Sequence, residues 1–215
     1  MSHPLACSPA GASGEILGAT AEKLVETVEI LQGLITLKDF LDEAEVKRVE
    51  AVLVQCAKEA DLKINEQEYG PGKYPSDAEC RRVVRYEGNK EVTQAMELGT
   101  MKHAAAFACV ERELGSEFSD HLSREPRYGQ NPSTGRYALI DKRFKSLAPD
   151  IVLHLVGDAN KIQFLYDFLF PCTSGSKSDP LGDARRTLSD KLAKYDKLPG
   201  QNRRALVTPQ LGISR

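Results

Sequence analysis

Two aspartates stand where an apolar sequence would not ordinarily tolerate them. Asp150 follows Pro149 at the mouth of the run Ile151, Val152, Leu153, Leu155, and Asp167 interrupts Ile162, Phe164, Leu165, Tyr166, Phe168, Phe170. Branched and aromatic runs bounded by turn residues are the strand signal, so residues 147–172 read as two buried strands joined by a short Gly-Asp-Ala-Asn turn. A carboxylate in such a strand is costly unless something pairs with it, and a divalent cation is one such partner. Two carboxylates meeting at one end of a sheet can hold a hard cation such as Mg²⁺ or Mn²⁺, with the backbone carbonyl of Phe168 as a further oxygen ligand. An ion held so polarises a phosphoryl oxygen and generates hydroxide near neutral pH. A nearby lysine usually completes such a site by orienting the water or neutralising developing charge.

The elements around this pair follow from periodicity. Residues 14–35 read as a helix, with Leu24, Val28, Leu31 and Ile35 at helical spacing. A second helix starts near Asp42, which forms a capping box with Glu45, and buries Val46, Val49, Leu53, Cys56 and Ala57. Residues 65–79 read as a loop, and a short helix begins at Ser76 or Asp77, with Glu79 as capping partner. Arg81, Arg82, Arg85 and Lys90 form the most basic patch, either a phosphate contact or an ordinary solvated face.

Residues 91–114 read as the longest helix, with Met96, Gly99, His103, Phe107, Val110 and Leu114 on one face. A lone histidine on such a stripe is more often a packed core residue than a ligand. Glu111 lies at the edge of the stripe, facing a cleft. After a turn-rich stretch at 115–135, RYALID (136–141) reads as a strand, followed by the two strands that carry the acids. Asp179-Pro180 starts a last helix that buries Leu181, Ala184, Leu188, Leu192 and Tyr195. ALVT (205–208) is a final short strand before the tail. From residue 91 the order is helix, three strands, helix, strand.

Composition narrows the function classes. The 215 residues are 41% hydrophobic and 28% charged, with a formal net charge of −2. A strongly basic total would advertise nucleic-acid binding, and its absence lowers that expectation without excluding a local basic cleft. No apolar run is long enough to cross a bilayer. Residues 1–13 are expected to be a flexible lead-in, with no secretory signal pattern. The five cysteines are scattered without a CxxC pair, which argues against a zinc ribbon. Cys56 and Cys109 fall on apolar helix faces and read as reduced buried thiols, with a cytosolic setting as the default. No GxSxG motif is present, so a nucleophilic hydrolase is a poor fit; His154 either lines the cleft beside Asp150 or packs.

Pro149-Asp150 followed by Asp167-x-Leu169, in this order of elements, resembles the PD-(D/E)xK nuclease superfamily over roughly residues 91–210. More narrowly, PDIVLH…KIQFLYDFLFPC with the distal LVTPQLGISR resembles the nuclease toxin domains of bacterial polymorphic and type VI secretion effectors, near the VRR-NUC-like and restriction-endonuclease-like groups. The resemblance implies an α/β (α+β) fold with a restriction-endonuclease-like core in residues 65–215, preceded by a helical extension over 14–64. It implies Mg²⁺- or Mn²⁺-dependent cleavage of DNA, with Asp150 and Asp167 as the motif acids. It also implies an immunity protein as partner, with synthesis in a bacterial cytoplasm and delivery to that of a target cell. A further acid from the first core helix is expected in such proteins: Glu111, with Glu97 behind it.

The family's lysine position falls at Leu169, which can neither donate a hydrogen bond nor stabilise charge. Three accounts are open. An active lysine has been replaced, the favoured one, since DFKFPC fits with one change. Or its role has moved to Lys161, Lys142 or Lys145. Or the chain is a non-catalytic member that binds nucleic acid or a protein. Lys142, Arg143, Lys145 and Lys161 are the expected nucleic-acid contacts.

Overall fold

The computed structural model describes residues 40–141, 145–173, 175 and 192–215, with the side chains of 200–202 left aside. The expected first helix at 14–35, Cys7, Lys142, Arg143 and most of the last helix lie outside these residues. Phe40–Arg215 form a single compact unit of mixed α and β structure.

Helix α1, Glu43–Tyr69, starts at the expected capping box: the Glu45 N–H donates to the Asp42 carboxylate (2.9 Å) and the Asp42 N–H to that of Glu45 (2.8 Å). It runs on through Asn65–Tyr69, where a loop was expected. Asn65 is buried and its side chain donates to Asp61 one turn back (3.0 Å), so a polar stretch stays helical until Gly70, whose φ of 89° suits glycine. The short helix α2, Asp77–Arg81, has the expected Ser76/Glu79 box. The basic segment after it folds as a hairpin of β1, Val83–Glu87, and β2, Lys90–Thr93, turning at Gly88.

Helix α3, Gln94–Phe118, begins three residues later than its apolar periodicity indicates, because residues 91–93 complete β2 and Thr93 caps the helix. Its N-terminal half is also turned relative to the expected stripe. Leu98 and Lys102 are buried, Met96 is exposed, and His103 sits at the edge. Phe107, Val110 and Leu114 face the core as expected.

The central sheet has the order β3–β6–β7–β8–β9, formed by Leu122–Arg124, Ile151–Leu155, Asp158–Phe168, Gly200–Thr208 and Gly212–Ser214. Strands β3, β6 and β7 are antiparallel neighbours, β8 is parallel to β7, and β9 returns antiparallel to β8. Three expectations are corrected here. RYALID is not a core strand: among the described residues β5, Tyr137–Leu139, pairs only with β4, Tyr128–Gln130, in a separate ribbon. The first core strand is Leu122–Arg124, three residues from a stretch read as loop. The tail read as a plain terminus forms β9, and the last parallel strand starts at Gly200 rather than Ala205. The hairpin turn is Val156-Gly157, with β7 already begun at Asp158.

Alternation divides the sheet into two faces. Ile151, Leu153, Phe164, Tyr166, Phe168, Ala205 and Val207 pack under α1 and α3 with Val49, Leu53, Phe107 and Val110. Val152, Ile162 and Leu165 face the other way and join Tyr128, Tyr195 and Leu198. The expectation of reduced thiols is overturned: Cys56–Cys109 links α1 to α3, and Cys80–Cys172 ties α2 to the segment leaving β7. Both pairs have Cα atoms within bonding reach, at 5.5 and 6.2 Å.

Candidate functional site

The antiparallel register alone brings the two acids together. Ile151 lies opposite Tyr166, so Asp150, one residue before β6, meets Asp167 near the end of β7. Side chains then continue the ladder. The Asp150 N–H donates to Asp167 Oδ1 (3.1 Å), and the Phe168 N–H donates to Asp150 Oδ2 (2.7 Å). The Asp150 carbonyl accepts from the Glu125 N–H (2.9 Å), which fixes the residue from the β3 side as well.

The two carboxylates look in different directions. Asp167 shares the second face of the sheet with Leu165 and is only 2% exposed. The Tyr195 hydroxyl, on the 3₁₀ turn Lys194–Lys197, lies 3.2 Å from each of its oxygens and 3.2 Å from the Ala148 carbonyl. Burial above all, then the negative charges of Asp167 and Asp150, pushes the Tyr195 hydroxyl well above the usual tyrosine range. It therefore stays a hydrogen-bond donor. Asp150 keeps 16% of its side chain exposed and faces α3, where His103 Nε2 stands 3.3 Å from Asp150 Oδ2 and 3.3 Å from the Phe168 carbonyl. Both neighbours are acceptors, so Nε2 carries the ring proton in this arrangement. The imidazole is braced by Phe107, Phe168 and Phe170, with ring centroids 5.2–6.2 Å away.

Leu169 sits two residues beyond Asp167. Its backbone N–H donates to the Val207 carbonyl (2.9 Å), and its half-buried side chain brings no charge. The other candidates are dispersed. Glu111 is two turns along α3 from His103, about 12 Å by the helix rise, and is exposed 3.9 Å from Arg124. Glu97 pairs with Arg85. Lys161 pairs with Asp158 (3.7 Å) at the other end of β7, six residues or about 20 Å from Asp167. Lys145 is exposed with a left-handed backbone, φ 58°. In the basic patch, Arg85 is bound to Glu87 and Glu97, and Arg82 to Gln94. His154 is packed: Nδ1–H donates to the Leu155 carbonyl (2.7 Å) and Nε2 accepts from Ser123 (2.9 Å).

Two residues beside the aspartates were not read as part of the site. His103 was visible on the helix stripe but weighed as core, and Tyr195 was read only as part of a buried face. A histidine one helical turn before a phenylalanine, facing an aromatic strand that carries an acid, was the available signal. Among the described residues, no three His, Cys, Asp or Glu side chains are gathered as a metal cage. No helix among them is long and apolar enough to cross a membrane. Comparison of the chain with family models, with curated proteins and with solved structures found no match in any of the three.

Proposed function

We propose that this chain is a metal-dependent nuclease with a restriction-endonuclease-like core. One observation carries the reading: a strand register that delivers Asp150 and Asp167 to the same sheet end, where the Asp167 carboxylate accepts from the Asp150 N–H and the Asp150 carboxylate from the Phe168 N–H. The sheet order supports it, with a leading helix α3, three antiparallel strands and a fourth strand parallel to the third. The donor chemistry suits a divalent cation, since Asp150 Oδ2, on a side chain that is 16% exposed, and the Phe168 carbonyl are hard oxygens that each lie 3.3 Å from His103 Nε2. When bound, the ion supplies Lewis-acid polarisation of a phosphodiester and a water of lowered pKa. Tyr195 holds Asp167, Asp167 holds the Asp150 main chain, and Leu169 brings no charge to the position where the resemblance expects a lysine.

The proposed biological role, an antibacterial effector domain held in check by an immunity protein, rests on the sequence resemblance. The two disulfides favour a route through an oxidising compartment. A second reading, a nuclease-like module that only binds nucleic acid or a protein, is favoured by Leu169 and by the engagement of Asp167 with Tyr195.

Supercoiled plasmid incubated with Mg²⁺ or Mn²⁺ separates the two. Leu169→Lys is expected to nick at least about a hundredfold faster than the present chain, the scale of one charge-stabilising donor. A folded Leu169→Lys protein that neither binds metal nor cuts any nucleic acid sinks the nuclease reading. Binding of nucleic acid that survives EDTA, without cleavage, would support the module.

A further inference from the structure

We infer that His103 is a metal ligand, and that the ion sits on the α3 side of Asp150 rather than between the two aspartates. This deepens the nuclease reading and rests on it. The two aspartates are not equivalent. Asp167 is almost fully enclosed, and both its oxygens lie 3.2 Å from the Tyr195 hydroxyl. Asp150 Oδ2 and the Phe168 carbonyl instead converge on one atom, His103 Nε2, at 3.3 Å each. Neighbouring ligands on an ion bound at about 2.0–2.1 Å lie about 3 Å apart, so Nε2 already stands at close to the spacing of an adjacent ligand from each of the two oxygens. The imidazole retains 31% exposure and is held between Phe107, Phe168 and Phe170, which fixes its plane while leaving an approach for an ion.

The chemistry of the exchange is simple. In the metal-free chain the Nε2 proton lies between two acceptors. Coordination needs the Nε2 lone pair, so the proton leaves Nε2 and the ring adopts the neutral Nδ1–H tautomer. The first core helix then contributes a nitrogen where an acid was expected. One imidazole, one carboxylate and one carbonyl favour first-row transition ions over Mg²⁺, because imidazole suits the softer cations and Mg²⁺ prefers oxygen. Asp167 becomes a positioning residue that holds the Asp150 main chain.

The test is spectroscopic and does not depend on turnover. The full chain, stripped with EDTA and loaded with Mn²⁺, is examined by pulsed electron paramagnetic resonance, with affinities for Mn²⁺ and Mg²⁺ measured by calorimetry. The expected result is a ¹⁴N modulation from a directly bound imidazole. It is lost in His103→Gln, with Mn²⁺ affinity at least about tenfold lower. His103→Glu, which restores a carboxylate, should bind Mn²⁺ without the modulation and recover Mg²⁺ binding; it also guards against a His103→Gln variant that misfolds. Mn²⁺ bound without nitrogen modulation, or modulation unchanged in His103→Gln, overturns the role of His103 and leaves the nuclease reading standing. No Mn²⁺ bound by either the present chain or Leu169→Lys overturns the nuclease reading itself, and the inference with it.

Discussion

Asp61 and Asp150 are both drawn out of bulk water beside a nitrogen base, yet their surroundings differ. Asp61, on α1, is sealed against Lys102 of α3, with Nζ 2.8 Å from Oδ1, and the lysine side chain is 1% exposed. Asn65 donates to the same oxygen (3.0 Å). Asp150 has a longer contact, 3.3 Å, to an imidazole that is a third exposed, and a main-chain N–H as its short partner. The first carboxylate is neutralised inside a helix–helix contact that the Cys56–Cys109 bond also spans. The second is oriented by the Phe168 N–H and keeps 16% of its side chain exposed. The two carboxylates thus differ in enclosure and in the kind of nitrogen beside them: one is sealed against an ammonium, the other stands at a partly exposed edge beside an imidazole.

Asp150→Asn tests the open member. The amide oxygen still accepts from the Phe168 N–H, so stability should change by less than about 1 kcal/mol. Cleavage by the Leu169→Lys form should fall at least about a thousandfold, roughly 4 kcal/mol of transition-state stabilisation. Lys102→Met tests the sealed member and should do the reverse. It leaves Asp61 as an uncompensated buried charge, at a cost of about 3–5 kcal/mol in urea denaturation. Cleavage per folded molecule should be unchanged. The paired change Lys102→Met with Asp61→Leu should recover most of the loss. If Lys102→Met abolishes cleavage in protein that remains folded, the distinction between the two sites fails.

Tyr195→Phe probes the intermediate case, Asp167, which is as enclosed as Asp61 but is partnered by a neutral hydroxyl. Loss of a hydrogen bond to a charged group should cost about 1.5–3 kcal/mol, read from the shift of the urea midpoint. Mn²⁺ affinity should move less than in Asp150→Asn. An equal loss would place Asp167 among the inner ligands.

The legible parts of the molecule were those where one physical signal dominates. The acid-bearing hairpin, the Asp42/Glu45 and Ser76/Glu79 caps and the Phe107–Leu114 face each rest on local chemistry, and each is present. The illegible parts depend on tertiary partners. Leu122–Arg124 is a strand because β6 supplies the other half of its ladder, and three residues with one apolar side chain carry no period. The register that unites Asp150 and Asp167 is local to a hairpin, so the pair was readable. His103, Tyr195 and Lys102 take their roles from residues 28–65 positions away or on another helix. Helical spacing gave the stripe but not its rotation, because a lysine with a buried acid to meet can occupy a core position that hydropathy assigns elsewhere. The disulfides were hidden for the same reason, with partners 53 and 92 residues apart.

The smallest expected effect concerns a second pair, the histidines. His154 is sealed like Asp61, with both ring nitrogens bonded, whereas His103 is open like Asp150. Burial, the largest influence, pulls the His154 ring below the ordinary histidine range; the His121 ring adds to this, while the Leu155 carbonyl and Asp158 oppose it. The unfolded ring takes up a proton near about pH 6.5, and the folded ring resists until lower pH. Protonation therefore favours the unfolded chain. The His154 contribution is complete above about pH 6.5 and is lost as pH falls through the lower folded value. Urea midpoints at pH 7.5 and 5.5 should show a larger drop for the present chain than for His154→Gln, whose side chain has no proton to gain. Equal drops in the present chain and His154→Gln would mean that His154 is not sealed, and the contrast between enclosed and open residues would then hold for the carboxylates alone.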